Sequence, residues 1–393
     1  MKFSILVFVI VAALLAGLVP ACASEPAELP DPIVIGCVMA TSSVPTWGPN
    51  RIKAVELAVD EINRQGGING KKILLKVADE GPTTATALYA VHKLVDEDKV
   101  QVIIGGTTSD AVQAIGPYVA SKGVLLVSPT ATSVKLSEEK WAKWVYTVCP
   151  LDSLQGGVVA KLIKDGGYKR VALLMQDSLY GRGIEQSVKQ YLTGVVNGVE
   201  TVRYDPLKLS YLSELNTIRD KTPDCVVLAA YYPDGAVIYA QAGQSGLDNI
   251  PWFATDGTYD LPLDKYLDAA RFMEKTVMGT VPSANRESDI YKAFQSNYKN
   301  KYGFEPTLYC DNAYDGLKMI AAAIKKAGVY NGSAIRDALA EIGQDYQGVS
   351  GTITFDQSGA RISGTYAIWK VITEGTQYRF ALTGQYVNFL QQR

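Results

Sequence analysis

The sequence alternates between two kinds of segment, and it does so twice; no other feature limits the fold as much. From Pro32 onward the short apolar, β-branched runs IVIGCVMA, ILLKVAD, VQVIIGG and VLLVSP are separated by helical stretches such as NRIKAVELAVDEINRQGG and TATALYAVHKLVDED. In the first of these Ile52, Val55, Ala58, Val59 and Ile62 recur at helical spacing, and Gly66 and Gly67 stop it. After Pro150 the rhythm restarts, with RVALLMQ, VETVRY, CVVLAAYY and PWFATD between helical segments. Strands that alternate with helices predict an α/β fold with parallel sheets covered on both faces. Residues 285 to 342 read as mostly helical, and the tail VSGTITFDQSGARISGTYAIWKVI as strands joined by a polar turn. Two similar units followed by a helical section and a strand tail predict two lobes, with the chain crossing between them more than once.

At 393 residues the chain is long for one core, which agrees with two lobes. A formal charge of −2, with Lys and Arg scattered rather than blocked, argues against a nucleic-acid partner. Residues 1–23 read as a secretory signal: Lys2, an apolar run from Ile5 to Val19, then small residues, too short for a membrane span. Two cleavage sites fit. Val19-Pro20-Ala21-Cys22 resembles a lipoprotein box that would leave Cys22 acylated, and Ala21-Cys22-Ala23 fits ordinary cleavage before Ser24. The polar, Pro-rich SEPAELPDP that follows suits a tether.

Export opens the question of disulfides. Cys37, Cys149, Cys225 and Cys310 can pair in three ways, while Cys37 and Cys225 also sit in strand-like runs as small buried residues would. The four cysteines show no metal-ligand spacing, so no metal and no cofactor are expected. QGGINGKK is not a phosphate loop: three residues rather than four separate Gly66 from Gly70, and a strand follows instead of a helix. His92, the one histidine, lies within a helical stretch, and no GxSxG elbow occurs, so a Ser-His-Asp hydrolase lacks its parts. An enzyme is therefore not expected.

What stands out instead is polar chemistry at strand ends. IIGGTTSDA closes a strand and opens a helix, which puts Ser109 where free N–H groups and the helix dipole favour a carboxylate. VLLVSPTATS presents Thr130 and Thr132, LLMQDSLYGRG presents Tyr180, CVVLAAYYP presents Tyr231, and WFATDG presents Asp256. In open α/β sheets ligands bind outside the carboxyl ends of the strands. Each cluster alone also fits a turn or cap. Together they supply hydroxyls for a carboxylate, a carboxylate for an ammonium, and rings for apolar bulk, a set that matches an α-amino acid.

The stretches AVDEINRQGGINGKK, SPTATS, LDSLQG, QDSLYGRG, AAYYPDG and DNAYDGLKMI, in this order and spacing, resemble the substrate-binding proteins of branched-chain amino acid ABC transporters. These are type I periplasmic binding proteins of the leucine/isoleucine/valine-binding kind. The resemblance implies two Rossmann-like lobes with parallel sheets, joined by a three-segment hinge. Lobe 1 would comprise 30–150 and 280–352, and lobe 2 151–279 and 353–393, with crossovers near Pro150, Thr276 to Gly279, and Ser350 to Phe355.

Carried over by position, the family's carboxylate-binding serine falls on Ser109. The loop carbonyl for the ammonium falls on Thr130, the hydroxyl at the ligand's amino-acid end on Thr132, and the tyrosine that closes from the second lobe on Tyr180. The acid that pairs with the ammonium falls on Asp256, and side-chain-facing aromatics on Tyr231 and Trp47. The cysteine pair that often staples the loop after the second strand is missing from ADEGPTT and GGTTSD. The implied role is an extracytoplasmic monomer, lipid-anchored if Cys22 is acylated. It would capture a free amino acid with an apolar or aromatic side chain and deliver it to a membrane permease. The alternatives are a same-fold binder of urea, short amides or aromatic acids, and a ligand-sensing protein.

Overall fold

A computed structural model of the chain describes residues 29–43 and 47–390, the side chains of 385–390 excepted. The expected signal segment 1–23 and the acylation site Cys22 lie outside the described residues. The first unit builds β1 (Ile33–Met39), α1 (Gly48–Arg64), β2 (Ile73–Asp79), α2 (Thr84–His92), β3 (Val102–Gly105), α3 (Ser109–Ser121), β4 (Leu125–Ser128) and β5 (Val145–Pro150). The second builds α4 (Asp152–Asp165), β6 (Arg170–Gln176), α5 (Leu179–Leu192), β7 (Gly198–Tyr204), α6 (Leu212–Asp220), β8 (Cys225–Ala229), α7 (Asp234–Gln244), β9 (Trp252–Ala254), α8 (Leu267–Thr276) and β10 (Val277–Pro282). The helical section is α9 (Asp289–Tyr302), α10 (Cys310–Ala327) and α11 (Gly332–Ile342). The tail holds β11 (Tyr346–Gly348), β12 (Gly351–Ile353), β13 (Ala360–Arg361), β14 (Ser363–Glu374) and β15 (Gln377–Leu390).

The first sheet runs β13-β5-β4-β3-β1-β2 and is parallel throughout. Its strands read as continuous apolar runs because both faces are covered. Leu125 and Val127 of β4 join the core formed with α1, α10 and α11, while Leu126 between them joins the core formed with α2 and α3. Fully burying a side chain of this size contributes about 1.5–3 kcal/mol. The second sheet runs β15-β14-β10-β9-β8-β6-β7, parallel from β7 to β10 and antiparallel where β14 and β15 are added. That mixed edge modifies the expectation of purely parallel sheets. It arises because the tail returns as a hairpin, which only antiparallel pairing permits at a short turn.

The chain crosses between the sheets three times, at boundaries that differ from the expected ones. The first crossing follows Pro150, as the restart of the pattern there indicates. The second comes after Pro282 rather than within 276–279, because β10 pairs with β14 as far as Pro282 opposite Tyr366. The third comes after Arg361 rather than near 350–355. Ala360 still pairs with β5, and the buried Arg361 guanidinium donates to the carbonyls of Val148, Ser350 and Thr352, which ties β13 to the first lobe.

Cys37, Cys149, Cys225 and Cys310 are all buried and free, so the disulfides considered for an exported chain are not formed. Cys37 and Cys225 lie inside β1 and β8, as small buried residues.

Two buried acids predict how stability varies with pH. Burial pushes Glu80 up to about 7 and Asp315 up to about 6, against the hydrogen bonds from Thr107 N–H to Glu80 and from Val349 and Ser350 N–H to Asp315. Between the unfolded and folded values the folded chain holds more protons than the unfolded one, so stability falls as pH rises through that window. Calorimetric Tm at pH about 5.5 is expected above that at pH about 7.5, by an amount on the order of 2 kcal/mol in stability. Glu80→Gln, which keeps an acceptor for Thr107, is expected to remove a large part of the difference; an unchanged pH profile would contradict the assignment.

Candidate functional site

The carboxyl ends of β1, β3 and β4 in one lobe face those of β6, β8 and β9 in the other, and a cavity of about 110 Å³ lies between them. Trp47, Arg51, Thr107, Thr108, Thr130 and Thr132 line it from the first lobe, with Leu308 and Tyr309 ahead of α10. Tyr180, Tyr231, Tyr232, Asp256 and Gly257 line it from the second. The volume is below that of pockets for drug-sized ligands, so the occupant is small. Larger hollows of about 790 and 870 Å³ are more open to solvent and contain none of these residues.

The second lobe contributes an acid held by tyrosines. Asp256 follows β9, is 5% exposed, and accepts from Tyr180 Oη at 2.9 Å on Oδ1 and from Tyr309 Oη at 2.7 Å on Oδ2. Burial pushes its pKa above the usual carboxylate range, and the two tyrosines pull it back only in part. Tyr309 comes from the other lobe, so Asp256 is bonded across the cleft. Tyr180 stacks on Tyr231 with ring centroids 4.7 Å apart, and Trp47 meets Tyr231 edge-on at 6.4 Å. Three of the sequence-derived aromatics therefore form one wall.

The first lobe contributes hydroxyls and main chain. The Thr130 hydroxyl donates to the carbonyl oxygens of Thr107 at 2.9 Å and Gly106 at 3.2 Å, which commits it to holding the two loops together. The Thr132 carbonyl accepts from Asp152 N–H at 2.8 Å at the first crossing. Ser109 is the first residue of α3, the helix start expected for it. The cap of α3 is Thr108, whose hydroxyl accepts from Ala111 N–H, and Ser109 is absent from the cavity lining. Its Oγ accepts from Ser133 N–H at 3.2 Å instead.

The lobes are closed on one another. The Asp110 carboxylate accepts from Leu179 N–H at 3.1 Å, and Ser133 Oγ donates to the Leu179 carbonyl at 3.0 Å. None of this is catalytic equipment. Burial raises all four cysteine thiols, and the exposed His92 sits at the far end of α2 with Asp96. Among the described residues no group of three or more His, Cys, Asp or Glu could hold a metal ion.

The family model described as "Periplasmic binding protein" matches residues 32–376. The chain belongs to the periplasmic binding protein family. It is 28% identical over 371 residues to the Leu/Ile/Val-binding protein BraC3 of Rhizobium johnstonii, covering 91% of this chain and 96% of the relative. Among solved structures it is similar to the branched-chain amino acid transporter substrate-binding protein LivJ of Streptococcus pneumoniae in complex with isoleucine. That match has a TM-score of 0.74 and 28% identity, and covers 90% of this chain and 99% of that one. It also shares its fold with a solute-binding protein of an ABC transporter from Rhodopseudomonas palustris BisB5 in complex with 3,4-dihydroxy benzoic acid, with a TM-score of 0.76 at 21% identity. That match covers 92% of this chain and 99% of the other. A member of this family is a solute-binding protein, not an enzyme, and acts outside the cytoplasm. Among the described residues no helix is long and apolar enough to cross a membrane.

Beyond the residues that family resemblance names, the structure adds Arg51, Tyr309 and Asp152. Arg51 stands four residues after Trp47 in α1, a spacing that places both on one helix face and is readable in WGPNR. Tyr309 had no signal in sequence; its φ of 66° ahead of α10 turns it toward Asp256. Asp152 opens α4 fully buried, and neither carboxylate oxygen has a partner within hydrogen-bonding distance. Burial drives its pKa well upward, offset in part by the nearby Thr132 hydroxyl and reinforced by the charge of Asp256.

Proposed function

We propose that the protein captures a free amino acid between its lobes and delivers it to the permease of an ABC transporter. Asp256 carries the reading. A buried carboxylate, set between two tyrosine hydroxyls in a cavity of about 110 Å³, suits a ligand ammonium better than any neutral group. Asp152, close enough for the charge of Asp256 to bear on it, adds acidity at the same end. The opposite wall has the N-terminus of α3, capped by Thr108, and the Thr130–Thr132 loop, which together suit a carboxylate. The names of the relatives, Leu/Ile/Val-binding and leucine-, isoleucine-, valine-, threonine- and alanine-binding proteins, point to the same class of ligand. The rings of Trp47, Tyr180 and Tyr231 bound the region left for the side chain.

Ligand binding would be coupled to closure. Asp256 and Tyr180 belong to one lobe and Thr130 and Thr132 to the other, so an amino acid that touches both favours the closed state over the open one. The stacked rings also favour a second reading, an aromatic acid held without an ammonium. A thermal-shift screen of the common amino acids, urea, short amides and hydroxybenzoates, on protein refolded to remove carried-over ligand, separates the two. At least one amino acid is expected to raise Tm; a response to hydroxybenzoates alone would reject the amino-acid reading.

A further inference from the structure

We infer that Arg51 makes this site selective for an amino acid whose side chain ends in a carboxylate. The inference rests on the amino-acid reading above and concerns the end of the ligand remote from Asp256.

Arg51 is 4% exposed and lines the same cavity as Asp256. Its guanidinium is fixed from two sides: it lies over the Trp47 ring at 5.4 Å and the Tyr309 ring at 5.2 Å. Its Nε donates to the Leu308 carbonyl at 3.3 Å. Yet among the described residues it has no carboxylate within 4.0 Å, whereas Lys301 of α9 and Lys318 of α10 each pair with an acid of α1. The acids whose charge reaches it, Asp256 and Asp260, make no direct ion pair with it: Asp256 accepts from two tyrosines and Asp260 from Leu308 N–H. Glu80, the third acid it influences, accepts from Thr107 N–H.

A buried cation without a paired anion is costly, and its natural remedy is an anion from the ligand. A guanidinium held by stacking, with its terminal nitrogens uncommitted to any carboxylate, offers the planar fork that binds a carboxylate through two bonds. The count of charges then narrows the ligand. The ammonium takes Asp256, and the α-carboxylate takes the α3 terminus and the Thr130–Thr132 loop. Arg51 is left for a third charged group, so an apolar side chain would leave it unpaired in the closed cavity. The rings that suggested an apolar side chain act here as the walls that orient the guanidinium.

Isothermal titration of the refolded protein with glutamate, aspartate, glutamine, leucine, phenylalanine and benzoate tests this. Glutamate or aspartate is expected to bind about 10⁴-fold tighter than leucine, the scale on which a built polar contact rejects a ligand lacking it, and tighter than glutamine by a smaller factor. Arg51→Met is expected to lose that preference while still binding glutamine or leucine. Leucine binding as tightly as glutamate to the unaltered protein would overturn the inference and leave the amino-acid reading standing. Equal loss of every amino acid in Arg51→Met would overturn it too, by assigning Arg51 to the α-carboxylate. Binding of benzoate with no amino acid bound would overturn both. If Arg51→Met does not fold, the panel on the unaltered protein decides alone.

Discussion

Replacing Asp256 with alanine is expected to abolish amino-acid binding measured by calorimetry. Removing one partner of a buried charge pair costs about 3–5 kcal/mol, because the other charge stays buried without a counter-ion. At about 1.4 kcal/mol per tenfold, affinity falls by roughly two to four orders of magnitude. Burial raises the Asp256 pKa, which penalises the charged carboxylate, but alanine also leaves the Tyr180 and Tyr309 hydroxyls without this acceptor. The two effects oppose each other, so ligand-free Tm is expected to change far less than affinity. Asp256→Asn separates charge from shape: it retains an acceptor for Tyr180 or Tyr309 but carries no charge, and is expected to bind nearly as poorly as alanine. Undiminished affinity for an amino acid in either variant would sink the ammonium assignment.

The second large effect is structural. Gly105 ends β3 with a φ of 143°, and a Cβ there would lie 1.8 Å from the Val38 carbonyl oxygen of β1. No side-chain rotation relieves a contact between backbones, so β1 and β3 must separate or the turn into GGTTS must unwind. Both strands lie within the first sheet, flanked by β2 and β4. Gly105→Ala is expected to cost more than about 4 kcal/mol, which belongs to the extreme of single substitutions. A Tm drop on the order of 10 °C, or failure to accumulate as folded protein, is the expected outcome. A loss below about 1 kcal/mol would show that the turn can relax, contrary to its geometry.

Much of the site was legible because strand ends announce themselves. An apolar run buried on both faces cannot continue past the sheet, so Thr130 after LLVS, Tyr180 after LLMQ and Asp256 after WFA had to emerge at the carboxyl edge. Parallel strands with both faces covered then gathered them at one opening. Other positions were not legible, for physical reasons that differ. Ser109 could be placed at a helix start, but that its Oγ accepts from Ser133 N–H depends on a loop remote in sequence. The spacing of Arg51 from Trp47 was readable, but a helix face does not reveal what packs on it. Its setting depends on Tyr309, which reaches Asp256 from a segment remote in sequence.

The boundaries followed the same division. The restart of the pattern after Pro150 marks the first crossing, because a change of periodicity is a local property. The second and third depend on β10 pairing with β14 and on Arg361 bonding to Val148, Ser350 and Thr352, contacts between distant segments that no local pattern encodes. The sequence by itself determined two α/β units and the strand ends that carry polar groups, the acid after β9 among them. Only the tertiary structure decided that a tyrosine from the opposite lobe grips that acid and that an arginine shares its cavity. Local periodicity determines which residues leave a sheet; the closing of one lobe on another determines which of them meet.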